Sequence, residues 1–434
     1  ESAESAAPPP AENQDETPPE EYGRDFPMAL AQGMAANLSI WGYDYIIMQP
    51  YARVSPTTWK NNLKEGAEWD NSDFFTNQIL HPYHGGMYYT GARAYGFSYW
   101  ESIVFAGFGS FVWEYFAERD TPATNDLIIT TMGGAAFGEA GYRLAVAFSN
   151  SNDTGARKFL REFAAWVVNP MYKINETVFG EPFTERNRLP RTPVDITLRA
   201  GANYTHDDDG RFSGYPHAYI GVNIAYGDPW AGGDFYAPYD FFQVKTDGEP
   251  DWANPSGDIF ADAILCGFKL YPGDDARMLL GLYQQFDYLE NLVYKFAANG
   301  AGAGLQMLVP FDGLGALEFK GQLYGVVLGI MDSRYSHWEI NNYDTKDTGW
   351  AYKLGLSYAC DYFSLSLHYM YYWLRVLDGS GWTDTVDIFT STLEAPLAQD
   401  TGLGLELRYY NRWASDGYDS AWAWSLKAFL AYKF

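Results

Sequence analysis

Two cysteines in 434 residues, Cys266 and Cys360, cannot build a disulfide scaffold, and their separation has no metal-site spacing. Histidine is scarce as well, with six in the chain. Basic residues are few: 29 Lys and Arg against 55 Asp and Glu leave a net charge of −26. A surface that acidic repels phosphate backbones, which excludes a nucleic-acid partner. No run approaches the roughly 20 apolar residues of a transmembrane helix. The nearest stretches, 102–113 and 127–138, are short and bounded by acids. A phosphate loop and a zinc-protease motif are also missing. The sequence GFGSF around Ser110 is not a nucleophile elbow, because the glycine two residues after the serine is absent. The chain opens at Glu1 with no charged-then-apolar leader, so a processed or recombinant form is expected.

Aromatics, by contrast, are abundant: 18% of residues, including 35 Tyr and 15 Trp. Their rings bury while their polar tips stay wet, which suits a membrane–water interface. Residues 1–23 are Pro, Glu and Ala with little to bury and read as a disordered tether. Residues 24–187 carry a helical period and form the expected helical domain. One helix is expected over 100–118. Another is expected to be capped by Asn125 and to run through MGGAAFGEAGYRLA, and a third over 156–168 is stopped by Pro170. Gly133, Gly134, Gly138 and Gly141 cost the middle helix stability, which implies close packing against a neighbour.

From 188 to 434 the period changes to two. Val194, Ile196, Leu198 and Ala200 alternate with Asp195, Thr197, Arg199 and Gly201. The same parity recurs at Tyr352 to Tyr358, Phe363 to Trp373, Leu403 to Tyr409 and Trp422 to Phe434. The opposite face holds small, polar and charged residues such as Lys353, His368, Glu406, Arg408 and Lys427. A soluble sandwich alternates too. Strands of about 10 to 13 residues with aromatics at their ends favour a membrane barrel of about 12 antiparallel strands. Asp207, Asp208 and Asp209 before Gly210 lack a following calcium-ligand pattern and read as a solvated loop.

The densest group of unusual residues lies between 61 and 143, in NNLKEGAEWDNSDFFTNQ, HPYHGGMYYTGARAYG, ESIVFAGFGSFVWEYFAE and NDLIITTMGGAAFGEAGYR. This run resembles an uncharacterised bacterial domain-of-unknown-function family of outer-membrane proteins, in which a helical domain with a His-Pro-Tyr-His-Gly motif precedes a C-terminal β-barrel. The resemblance implies an architecture and no mechanism. The closing LKAFLAYKF similarly resembles the C-terminal signature by which outer-membrane assembly machinery recognises its clients, with Phe434 at the correct parity.

His81 and His84 stand three apart around Pro82, and spacing of three can bring two imidazoles to one metal. Glu114 and Asp126 are the candidates to complete a catalytic group with them. Arg93, Glu118, Glu139 and Arg143 are candidate binding residues, with either arginine as the partner that Glu114 and Glu118 need at a helix C-terminus. The competing reading is structural: these groups hydrogen-bond one another and fix helix packing. No metal or cofactor is named by the pattern. The expected location is the bacterial outer membrane, among outer-membrane lipids and lipopolysaccharide. Three roles are expected: a barrel plugged or capped by its helical domain, with a transport or structural role; an embedded enzyme modifying lipid or lipopolysaccharide; or a scaffold for a partner.

Overall fold

The computed structural model describes residues 23–70, 73–149, 153–189, 192–207, 216–250, 256–272, 275–291, 294–333, 345–378, 382–415 and 420–434. The tether and the residues 208–210 of the acidic loop lie outside them.

Among the described residues eight α-helices precede the barrel: α1 (Phe26–Ile46), α2 (Pro56–Glu65), α3 (His81–Arg93), α4 (Tyr99–Val112), α5 (Thr124–Ser149), α6 (Gly155–Val168), α7 (Pro170–Phe179) and α8 (Glu181–Arg186). Two π-helical turns interrupt the series, at Thr76–Leu80 running into α3 and at Trp113–Ala117 extending α4. Local chemistry sets several starts. Asp25 caps α1 by accepting from Met28 N, and Ser98 with Glu101 forms a capping box on α4. Helix α5 begins at Thr124, so Asn125 lies in its first turn and is not its cap.

The expected glycine contact is present. A β-carbon at Gly85 would lie 1.9 Å from Thr130 O, and one at Gly134 would lie 2.7 Å from Gly85 Cα. The backbones of α3 and α5 therefore touch, running parallel with their N-terminal ends together.

Twelve strands close an antiparallel barrel: β1 (Val194–Asp207), β2 (His217–Tyr226), β3 (Phe242–Glu249), β4 (Ser256–Leu270), β5 (Arg277–Glu290), β6 (Tyr294–Phe311), β7 (Gly315–Ser333), β8 (Thr345–Ala359), β9 (Ser364–Val376), β10 (Thr383–Ala398), β11 (Thr401–Ala414) and β12 (Ala421–Lys433). Closure is by β1 against β12, with Ala200 opposite Leu430 and Phe434 N donating to Ile196 O at 2.8 Å. Outward residues of β11 and β12 such as Leu403, Leu405, Leu407 and Leu430 are exposed, while Glu406, Arg408 and Lys427 between them are buried inside. An apolar exterior over a polar interior, with Trp350, Tyr371, Trp413 and Trp422 toward one end and Tyr358, Phe363 and Tyr432 toward the other, is a bacterial outer-membrane barrel. The turns at 271–276, 312–314, 360–363 and 399–400 share one end, and short turns mark the periplasmic side.

The helical domain neither plugs the lumen nor caps its mouth, contrary to the sequence-based expectation. It packs against the outside of the wall. Asp287 on β5 accepts from Lys353 Nζ at 2.6 Å, Tyr324 OH at 2.6 Å and Tyr372 OH at 3.0 Å, all across the lumen. Its neighbours Phe286 and Tyr288 therefore point outward. Those are the residues the helices meet: Phe137 lies 4.9 Å from Phe286 and Phe74 stacks on Tyr288 at 5.3 Å, between ring centroids. Gln284, also outward, donates to Met132 O and accepts from Tyr99 OH. Ile259, Ala261, Ala297, Leu328 and Ile330 extend the same contact.

Side chains of the wall itself block the outer part of the lumen. Toward the outer end Leu289, Phe296, Tyr324, Tyr372, Leu374 and Ile388 form an apolar core. Below it lies an ion-pair layer: Arg408 bridges Asp247, Asp258 and Glu406, Lys427 reaches Asp247 at 2.6 Å, and Lys245 reaches Glu406 at 2.8 Å. Below that layer a polar cavity of about 430 Å³ is lined by residues including Thr197, Lys320, Ser366 and His368.

Candidate functional site

The parallel packing of α3 on α5 sorts the eight candidate residues into two groups. His81, His84, Glu114, Glu118 and Asp126 gather at the N-terminal ends of the two helices. Arg93, Glu139 and Arg143 lie further along, and Arg93 is displaced from His81 by roughly 18 Å of helical rise.

The second group is a closed ion-pair network. Glu139, fully buried, accepts from Arg93 Nε at 3.0 Å, Arg143 Nε at 2.7 Å and Tyr89 OH at 2.7 Å. Arg143 continues to Asp240 and to Pro238 O in the β2–β3 connection, tying α5 to the barrel. Neither arginine reaches Glu114 or Glu118, so the expected partnership is corrected. Those acids find uncharged donors: Ala123 N donates to Glu114 Oε2 at 3.0 Å, and Trp113 Nε1 donates to Glu118 Oε1 at 2.7 Å.

In the first group His81 Nδ1 is 3.2 Å from Thr130 Oγ1, and its Nε2 is 3.5 Å from Asp126 Oδ2. One donor atom each from His81, Glu114 and Asp126 lie within 4.8 Å of one another. Glu114 is 1% exposed, and its Oε1 has no hydrogen-bond partner among the described residues. Both π-helical turns abut this point, one ending at His81 and the other containing Glu114. Such turns cost backbone regularity and recur at functional sites.

His84 stands apart from this centre. Its Nε2 is 2.7 Å from Tyr88 OH, which donates to Asn37, and its ring packs between Tyr88 and Trp113. It is a core histidine, and the two imidazoles do not converge.

Three contributors escaped the sequence reading. Asn125 donates to Asp70 Oδ1 at 2.6 Å and Asp126 Oδ1 at 2.9 Å, while its own Oδ1 accepts from Asp70 N. Asp70 thus joins the acidic side. Lys346, fully buried, comes from the outward face of β8 and acts electrostatically on Asp126. Its signal was its parity: a lysine at a lipid-facing position needs a polar partner.

Four carboxylates, Asp70, Glu114, Glu118 and Asp126, therefore crowd one histidine and one lysine. Burying carboxylates together is costly unless protons or a cation neutralise them. With three donors from separate elements, this centre can hold a cation or exchange protons.

Residues 66–171 match the family described as Domain of unknown function (DUF3943). The helical region carries a DUF3943 domain. No curated protein matches the chain. Among solved structures, the chain is similar to the NanC porin at 10% identity, with a TM-score of 0.31, over 56% of this chain and 100% of that one. It is also similar to the outer-membrane channel DcaP of Acinetobacter baumannii at 10% identity, with a TM-score of 0.28, over 56% of this chain and 97% of that one. The DUF3943 match covers both π-helical turns and every one of the eight candidate residues.

Proposed function

We propose that this DUF3943-bearing barrel is a membrane-embedded enzyme that modifies an outer-membrane lipid or lipopolysaccharide from the outside of its wall. The observation that carries the reading is the placement of the His81–Glu114–Asp126 centre on the lipid-facing side of a barrel whose lumen is blocked above its polar cavity. The exterior of the helical domain supports it. Trp100, Val104, Phe108 and Phe111 form an exposed stripe on α4, and Phe159, Leu160, Phe163, Trp166 and Val167 form another on α6. Its interior meanwhile holds Asn37, Glu114, Asp126, Glu139 and Arg143. Apolar stripes on the surface of a domain that buries its charged groups together suit hydrocarbon as solvent.

Between helices and wall lies an apolar crevice of about 260 Å³, lined by residues including Phe137, Leu144, Val167, Phe242, Ile259 and Phe286. Its chemistry suits an acyl chain. Tyr83, two residues after His81, lines the same crevice. The enzyme reading gives His81 the role of general base or metal-bound donor and gives Asp126 the role of orienting it.

Mass spectrometry of outer-membrane lipids from cells with and without the protein tests this reading. A lipid species that appears with the wild type and is lost with His81→Ala or Asp126→Asn is the expected result. Unchanged lipids in all strains, with both variants correctly inserted, would falsify it. A transport role requires instead that the blocked lumen open, and single-channel conductance in planar bilayers is its test.

A further inference from the structure

We infer that His81, Glu114 and Asp126 bind one divalent transition-metal cation of the zinc or manganese class. The argument is geometric and does not depend on lipid chemistry. One nitrogen and two carboxylate oxygens come from α3, the π-helical turn after α4, and the first turn of α5, and they converge within 4.8 Å. Donors bound to one tetrahedral zinc at about 2.1 Å stand about 3.4 Å apart. Contraction by up to about 1.4 Å, through rotation of the three side chains, brings them to that distance. Imidazole with carboxylates suits zinc, manganese or ferrous iron, and lacks the thiolates that copper(I) would select.

A second, independent observation points to a ligand. Glu114 Oε1 is buried with no hydrogen-bond partner among the described residues, although Oε2 of the same carboxylate is held by Ala123 N. A buried carboxylate with one oxygen satisfied and the other idle is poised for an electrophile. The surroundings hold the donors in place: Asn125 clamps Asp126 against Asp70, and Thr130 fixes His81 through Nδ1. An outer hydrogen bond of that kind orients an imidazole for coordination through its other nitrogen. Charge agrees, since among the described residues four acids face one lysine and one imidazole. Three protein donors also leave positions for water or a substrate oxygen, as in catalytic rather than structural zinc sites.

The test uses the full chain purified in detergent, stripped with a chelator and titrated with Zn²⁺ or Mn²⁺, with bound metal measured by elemental analysis. About one ion per chain is expected for the wild type. Glu114→Gln and Asp126→Asn should abolish it, and Asn125→Ala should weaken it by about ten- to hundred-fold. Glu185→Gln, an exposed acid on α8, serves as the control that keeps the ion. Co²⁺ substitution in the wild type gives a second readout independent of any variant's folding: ligand-field absorption is expected on binding. No uptake of Zn²⁺, Mn²⁺ or Co²⁺ by the folded wild type overturns the proposal, as does full uptake by folded Glu114→Gln. Metal uptake without any lipid change leaves this site standing and sinks the enzyme reading. A lipid change by a chain that takes up no metal does the reverse.

Discussion

The barrel lumen and the helical domain both bury many charges, and they balance them differently. In the lumen Arg199, Lys245, Arg408 and Lys427 face Asp247, Asp258, Glu394 and Glu406, with ion pairs linking them into one network. The Arg93–Glu139–Arg143 group is similarly closed, with Asp240 supplying the second negative charge. At His81 the count among the described residues is lopsided toward acid, and one carboxylate oxygen has no hydrogen-bond partner among them. Charges that are mutually satisfied fix a structure. A buried excess of one sign is neutralised by protons or by a bound cation. That distinction separates the eight candidate residues better than burial does, because members of both groups are equally buried.

The largest expected effect comes from breaking balance where it exists. Arg408→Met leaves Asp247, Asp258 and Glu406 short of their shared cation, and removing one partner of a buried ion pair costs about 3–5 kcal/mol. Guanidinium unfolding of the detergent-solubilised chain measures it. A loss below about 1 kcal/mol, the scale of an exposed surface pair, would mean that the lumen is wet enough to screen the charges. Glu139→Gln is expected to cost a similar amount by stranding Arg93 and Arg143, and to do so in the helical domain alone. Tryptophan fluorescence from Trp100 and Trp166 separates that loss from barrel unfolding.

A smaller effect follows from the contact that assembles the centre. Gly85→Ala places a methyl group 1.9 Å from Thr130 O, and overpacking of a tight interface costs about 1–3 kcal/mol. The substitution separates α3 from α5 and therefore His81 from Asp126. Metal uptake should fall together with stability. Lost stability with unchanged uptake would show that the centre tolerates helix separation.

How much of this was legible beforehand follows from what each residue type must satisfy. The barrel could be read because alternation, aromatic ends and strand length are demanded by the bilayer at every strand. The position of the helices could not. Phe286, Ile259 and Leu328 are apolar and outward, and a wall position needs that character whether lipid or a helix covers it. The glycines of α5 announced a close neighbour without naming α3. The motif HPYHG marked the right region, yet its two histidines serve different ends. His81 faces Thr130 and Asp126 across the α3–α5 contact, while His84, three residues on, is turned toward Tyr88 and Trp113. Lys346 lies more than 200 residues beyond Asp126 in the chain, and only closure of the barrel brings it there.

The smallest expected effect is the most discriminating. Glu114→Gln removes a carboxylate that has no cationic partner within the centre, so the metal-free chain should lose no stability, within about 0.5 kcal/mol for a change that breaks no pair. Lys346 sits nearby but acts on Asp126, and the Ala123 N–H can still donate to the amide oxygen of glutamine. With metal present the outcomes diverge. An ion at a hundred times its dissociation constant stabilises the folded wild type by about 2.7 kcal/mol through mass action. The variant, lacking a ligand, should gain nothing. Unfolding curves of both chains with chelator and with Zn²⁺ therefore form a closed comparison. If Glu114→Gln destabilises the metal-free chain by several kcal/mol, Glu114 is a structural member of a balanced network after all, and the contrast between the two kinds of charge cluster fails at this residue.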